Sequence, residues 1–127
     1  MENGEGRMSG NVIMEKSFAF ALRIVKLYKF LCEEKREFVL SKQALRSGTA
    51  IGALVREAVQ AESKPDFIHK LAIALKEANE TNYWLDLLHQ SGYINDKSHA
   101  AISADLAELL KLLTAIIKSA KTNKPPR

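Results

Sequence analysis

A chain of 127 residues with 46% hydrophobic and 27% charged side chains is the size of one domain and too apolar for wholesale disorder. Its net charge of +4, from 19 basic against 15 acidic residues, permits contact with polyanions without demanding it. A single cysteine, Cys32, excludes an intrachain disulfide and fits a reducing compartment, and no apolar run approaches the ~18 residues of a membrane span, so a cytoplasmic location away from any membrane is expected.

Residues 1–10 are Gly-rich and polar and read as a flexible leader ahead of a bundle domain spanning 11–122. Asn11 is a candidate N-cap for a first helix over 12–36, with Glu15 in its first turn where the helix dipole favours negative charge. Phe20, Ala21, Ile24, Val25, Leu27, Tyr28, Leu31 and Cys32 sweep about half of that helix, more than the ~100° one packing face requires. Leu22 and Phe30 fall outside even this arc. Two readings follow: generous burial within one bundle, or a second face turned to another subunit. Cys32 itself reads as a small buried hydrophobe rather than a reactive thiol.

After a charged break near Phe38, Ser41 is positioned to cap a second helix over 41–62. Its Ser47, Gly48, Thr49, Ala50, Gly52 and Ala53 are all small, and a glycine inside a helix costs about 0.5 to 1 kcal/mol against alanine. Gly48 and Gly52 stand four apart on one face, so close approach of a neighbour is the expected compensation. The rival reading, a phosphate loop, lacks the Gly-Lys-Ser/Thr ending.

Ser63 and Pro65 open a third helix over 65–90, with Asp66 placed for the dipole and Gly92 as the stop signal. A fourth helix over 97–121 follows from the near-heptad stripe Ile102, Leu106, Leu109, Leu113, Ile116 and Ala120, and residues 123–127 are a basic tail. Four helices joined by short connections predict an all-α, antiparallel, up-down-up-down bundle.

A di-iron centre in such a bundle needs Glu-x-x-His on two helices, a motif this chain lacks. Asp66-x-x-His69 and Asp86-x-x-His89 lie twenty residues apart on one helix, ~30 Å at 1.5 Å per residue, too far to share a metal. Neither a metal nor a cofactor is expected. Glu57, Glu77 and Glu80 could do acid–base work if a cleft raised a carboxylate pKa. The favoured reading is structural: the three acids form a polar network neutralised by Arg46, Arg56 or Lys76, with Glu77 and Glu80 paired across to the second helix. No nucleophile elbow, zinc pattern or Gly-rich cofactor loop is present, so no enzyme activity is expected. The basic residues Lys16, Arg23, Lys26 and Lys29 on the first helix, Lys42 and Arg46 on the second, and Lys111, Lys118 and Lys121 on the fourth are candidates for phosphate contact. Against that stands a solvated face interleaved with Glu15, Glu33, Asp105 and Glu108.

The segments QALRSGTAIGALVREA, FIHKLAIALKEANETNYWLDLL and SGYI resemble the bacterial 23S rRNA intervening sequence proteins. Lys76-Glu77-Ala78, Glu80 and Tyr83-Trp84-Leu85 stand in that family's order, whereas its Ile-x-Glu-Gly appears here as Val55-Arg56-Glu57-Ala58. The resemblance implies a bundle assembled as a homo-oligomeric ring, a homopentamer, without established catalytic activity. Because some members are encoded inside insertions in 23S rRNA genes, it also suggests RNA as a partner. The family is similar to accessory proteins of diversity-generating retroelements, basic pentamers that contact a reverse transcriptase and nucleic acid, which implies as the alternative a protein-interaction scaffold or reverse-transcriptase accessory protein whose main contacts are protein–protein.

Overall fold

The computed structural model describes residues 5–122, with side chains described from Val12 onward. Residues 1–4 of the expected leader and the expected tail 123–127 lie outside the described residues. The described residues form four α-helices and no strand: α1 (Glu5–Glu33), α2 (Leu40–Val59), α3 (Lys64–Gln90) and α4 (Asp96–Thr122). Each packs on its chain neighbours and α1 closes on α4, while among the described residues no close backbone approach crosses either diagonal.

The helix ends show which local forces win. α1 begins at Glu5, so residues 5–10 belong to the helix and Asn11 is interior to it rather than its N-cap. Extending an existing helix costs only about 1 kcal/mol at each glycine, much less than nucleating one. At its other end α1 stops at Glu33, short of Arg36. Arg36 takes φ 54°, and this left-handed residue lets the Glu37 N–H reach the Leu31 carbonyl at 2.9 Å, closing the last turn.

Ser41 is not the cap of α2. Glu37 is: its carboxylate accepts from the N–H groups of Val39 at 3.1 Å, Leu40 at 2.8 Å and Ser41 at 2.7 Å. The Ser41 hydroxyl donates back to the Glu37 carbonyl at 2.8 Å. α2 closes at Val59 instead of running to Glu62, because Gln60 and Ala61 donate three residues back, to Glu57 and Ala58, tightening the final turn. α3 starts as the sequence suggests, with the Ser63 side chain accepting from the Asp66 N–H at 3.2 Å and Pro65 in the first turn. Gly92, at φ 88°, turns the chain after α3, and Asn95 caps α4 by accepting from Ser98 N–H at 2.8 Å.

The main core gathers Phe20 and Ile24 of α1, Ile51 and Val55 of α2, Leu71, Ala74, Ala78 and Leu85 of α3, and Leu106, Leu109 and Leu113 of α4. A smaller cluster of Leu31, Ala44, Leu88 and Ile94 sits under the α1–α2 and α3–α4 connections. The small residues of α2 take their place here. A Cβ on Gly48 would lie 2.8 Å from Cγ1 of Ile24, and one on Gly52 would lie 3.3 Å from the Ser17 carbonyl oxygen. The glycines therefore let α1 lie close against α2. No helix among the described residues is long and apolar enough to cross a membrane.

Candidate functional site

Across the α2–α3 seam a buried hydroxyl pair, Ser47 and Thr81, meets at 2.8 Å, and the Thr81 hydroxyl also reaches the Glu77 carbonyl at 2.8 Å. Just outside it Arg46 donates to Glu77 at 3.3 Å and, through its other terminal nitrogen, to Glu80. Trp84 Nε1 adds a third donor, 3.1 Å from Glu80, and the Tyr83 ring stands edge-on to Trp84 at 5.1 Å. Glu77 and Glu80 thus share one guanidinium. Glu57 does not join them: it pairs at 3.0 Å with Lys70, and this hydrogen bond and charge hold the Lys70 ammonium above its ordinary range. The three acids split because Arg46 and Glu57 are eleven positions, three turns, apart on α2.

The candidate basic residues divide into two groups. Lys16 pairs with Glu108 at 3.0 Å and Arg23 with Asp105, both across the α1–α4 seam, and Arg46 is engaged as described. Lys26, Lys29, Lys42, Lys111, Lys118 and Lys121 are exposed, and none forms an ion pair with a described acid. Lys121 borders an open groove between the start of α3 and the end of α4, lined also by Pro65, Ile68, His69, Ala72 and Ala120.

Two features escaped the sequence reading. At the start of α4, Asp96-x-x-His99 repeats the Asp86-x-x-His89 spacing of α3, and the two motifs exchange partners. His89 Nε2 lies 2.7 Å from Asp96, His99 Nε2 lies 2.9 Å from Asp86, and the two rings stack 4.0 Å apart and 6° from parallel. Among the described residues no three His, Cys, Asp or Glu side chains are arranged to hold a metal ion. The second feature is aromatic. Phe18, Phe38 and Tyr83 are exposed, together with Val39, Val59 and the two residues already read as outside the apolar arc of α1, Leu22 and Phe30. Arg56 lies over Phe18 at 5.3 Å, Lys35 over Phe30 at 5.9 Å and Arg36 over Phe38 at 5.4 Å. An exposed aromatic signals nothing through periodicity when it sits in a loop, as Phe38 does. Cys32 is half-buried, and its hydrogen bond and charge push the neighbouring Tyr28 hydroxyl pKa up.

The family model described as 23S rRNA-intervening sequence protein matches residues 10–115. The chain belongs to that family. Among solved structures it is similar to a crystal structure of a protein with unknown function from the S23 ribosomal protein family, from Bacteroides thetaiotaomicron VPI-5482. The two share 59% identity with a TM-score of 0.86, over 87% of this chain and 98% of that one. No match is found among curated proteins.

Proposed function

We propose that this family member is a non-enzymatic cytoplasmic protein, an antiparallel up-down-up-down bundle that assembles as a homopentameric ring and associates with RNA through its outward cations. The observation carrying the RNA reading is the unneutralised set Lys26, Lys29, Lys42, Lys111, Lys118 and Lys121. Phosphate contact needs no sequence motif, only cations free of competing acids, and a ring multiplies the +4 of each chain. The antiparallel arrangement is supported by the cross-helix pairs, in which rising numbers on one helix meet falling numbers on the next: Arg46 with Glu80, then Glu57 with Lys70. Retention of rRNA fragments at low ionic strength, falling steeply with salt, is the expected result; no retention at any salt concentration would overturn the reading.

A second reading, a scaffold or reverse-transcriptase accessory protein working by protein contact, is favoured by the exposed Phe18 and Leu22 on α1 and Val59 on α2. Light scattering tests the assembly shared by both: a particle of 14.2 kDa would refute the ring. Charge reversal at Lys26, Lys111 and Lys118 separates the readings. Lost RNA binding with an intact ring supports the first, and unchanged cellular partners support the second.

A further inference from the structure

The α1–α2 end of the molecule carries two exposed aromatic rings in a segment rich in unpaired basic side chains. The rings are Phe30, at 41% exposure, and Phe38, at 51%, and each has a cation over one face, Lys35 and Arg36 respectively. Segment 26–42 carries five basic and three acidic side chains. One of those acids, Glu37, is buried and turned inward to cap α2, leaving Glu33 and Glu34 as the exposed acids of the segment. Lys26, Lys29, Lys35, Arg36 and Lys42 are all exposed and form no ion pair with a described acid. Phe18 also has a cation over it, Arg56, but that ring adjoins Leu22 on the same helix, and the neighbouring basic positions Lys16 and Arg23 are already paired with acids.

Resting on the RNA reading above, we propose that this end is a binding surface for single-stranded RNA: unpaired bases stack on Phe30 and Phe38 while Lys29, Arg36 and Lys42 meet the flanking phosphates. Stacking on an exposed ring requires a base released from its helix, which single strands, loops and ends offer and a continuous duplex does not. The cation over one face of each ring brings positive charge to the stacking site, a base taking the other face or the cation's place, and a guanidinium is itself a plane for stacking. Glu37 positions the surface, since its hold on the first N–H groups of α2 fixes the connection that carries Phe38.

The test is fluorescence anisotropy with the full chain, a labelled 12-nucleotide single-stranded RNA of mixed sequence, and a blunt RNA duplex of the same sequence. The wild type is expected to bind the single strand more tightly than the duplex. Phe38→Ala and Phe30→Ala should each weaken single-strand binding about tenfold, and Phe38→Tyr should bind like the wild type. Lys29→Glu with Lys42→Glu should make the slope of log affinity against log salt shallower by about 0.7 for each phosphate no longer neutralised. Circular dichroism and particle mass should stay unchanged in all four. If the wild type binds neither RNA, the RNA reading fails and this surface with it. If the wild type binds but the phenylalanine variants bind equally well, or if Lys111→Glu with Lys118→Glu alone removes binding, RNA association stands and its placement here is overturned. Equal affinity for duplex and single strand would overturn the stacking claim.

Discussion

Helix α1 is held by its two neighbours in different ways. Against α2 it lies over glycine: Ile24 fills the space a Cβ on Gly48 would take, and the Ser17 backbone stands over Gly52. Against α4 it is joined at the rim by Lys16 with Glu108 and Arg23 with Asp105, four side chains between 42% and 53% exposed. The first seam depends on close packing, an attraction that fades within an ångström of separation. The second depends on charges that water and salt screen. One seam should therefore be sensitive to volume and indifferent to ionic strength, and the other the reverse.

The sharpest way to break this contrast is to fill the glycine. Gly48→Leu should destabilise by roughly 2 to 3 kcal/mol through overpacking against Ile24. Urea unfolding should show the same loss at 50 mM and 500 mM salt, and Ile24→Ala in the same chain should recover part of it. Full additivity of the two would mean that Ile24 and Gly48 do not share the space.

Next in size is the connection into α2. Glu37→Ala should cost about 1 to 2 kcal/mol, as the loss of a helix cap does, visible as a lower urea midpoint. Burial raises the Glu37 carboxyl, but the N–H groups of Leu40, Ser41 and Val39 together outweigh it and hold the group below its ordinary range. A carboxyl depressed in the folded state contributes its full stability above its unfolded value and loses it as pH falls through the folded value. Stability should thus decline on acidification from the ordinary carboxylate range downward, and Glu37→Gln should remove that part of the decline. An unchanged acid limb would contradict the cap.

The smallest effect belongs to the outer seam. Arg23→Ala and Asp105→Asn should each cost no more than about 1 kcal/mol at low salt and almost nothing at 500 mM. A double-mutant cycle should give a coupling that shrinks with added salt. A coupling unmoved by salt would show the pair to be shielded, and the contrast between the seams would weaken.

Most of the helical framework was legible because it is written in local signals: the apolar stripes, the Ser63 cap with Pro65, and the glycine at 92. What remained hidden depends on residues far apart in sequence. Arg23 and Asp105 are 82 positions apart, so a cation reading as free along α1 is in fact matched across the molecule. Glu57 looked like a companion of Glu77 and Glu80 because all three are acids on adjacent helices, yet helical rise puts it opposite Lys70. Glu37 was unreadable for another reason. In a run of charged residues nothing local distinguishes the carboxylate that turns inward from those that stay in water.

The crossed histidines bear on how α3 and α4 are indexed to each other. Apolar stripes on two long helices interdigitate almost as well after sliding by one turn, ~5.4 Å, because leucine and isoleucine repeat along both. His89 with Asp96 and His99 with Asp86 repeat only once. A one-turn slide would pull both imidazoles off their carboxylates together, with no second pair to catch them. The four residues act as a vernier at the mouth of the hairpin, adding a preference for one setting to a seam whose greasy interior discriminates weakly between neighbouring ones.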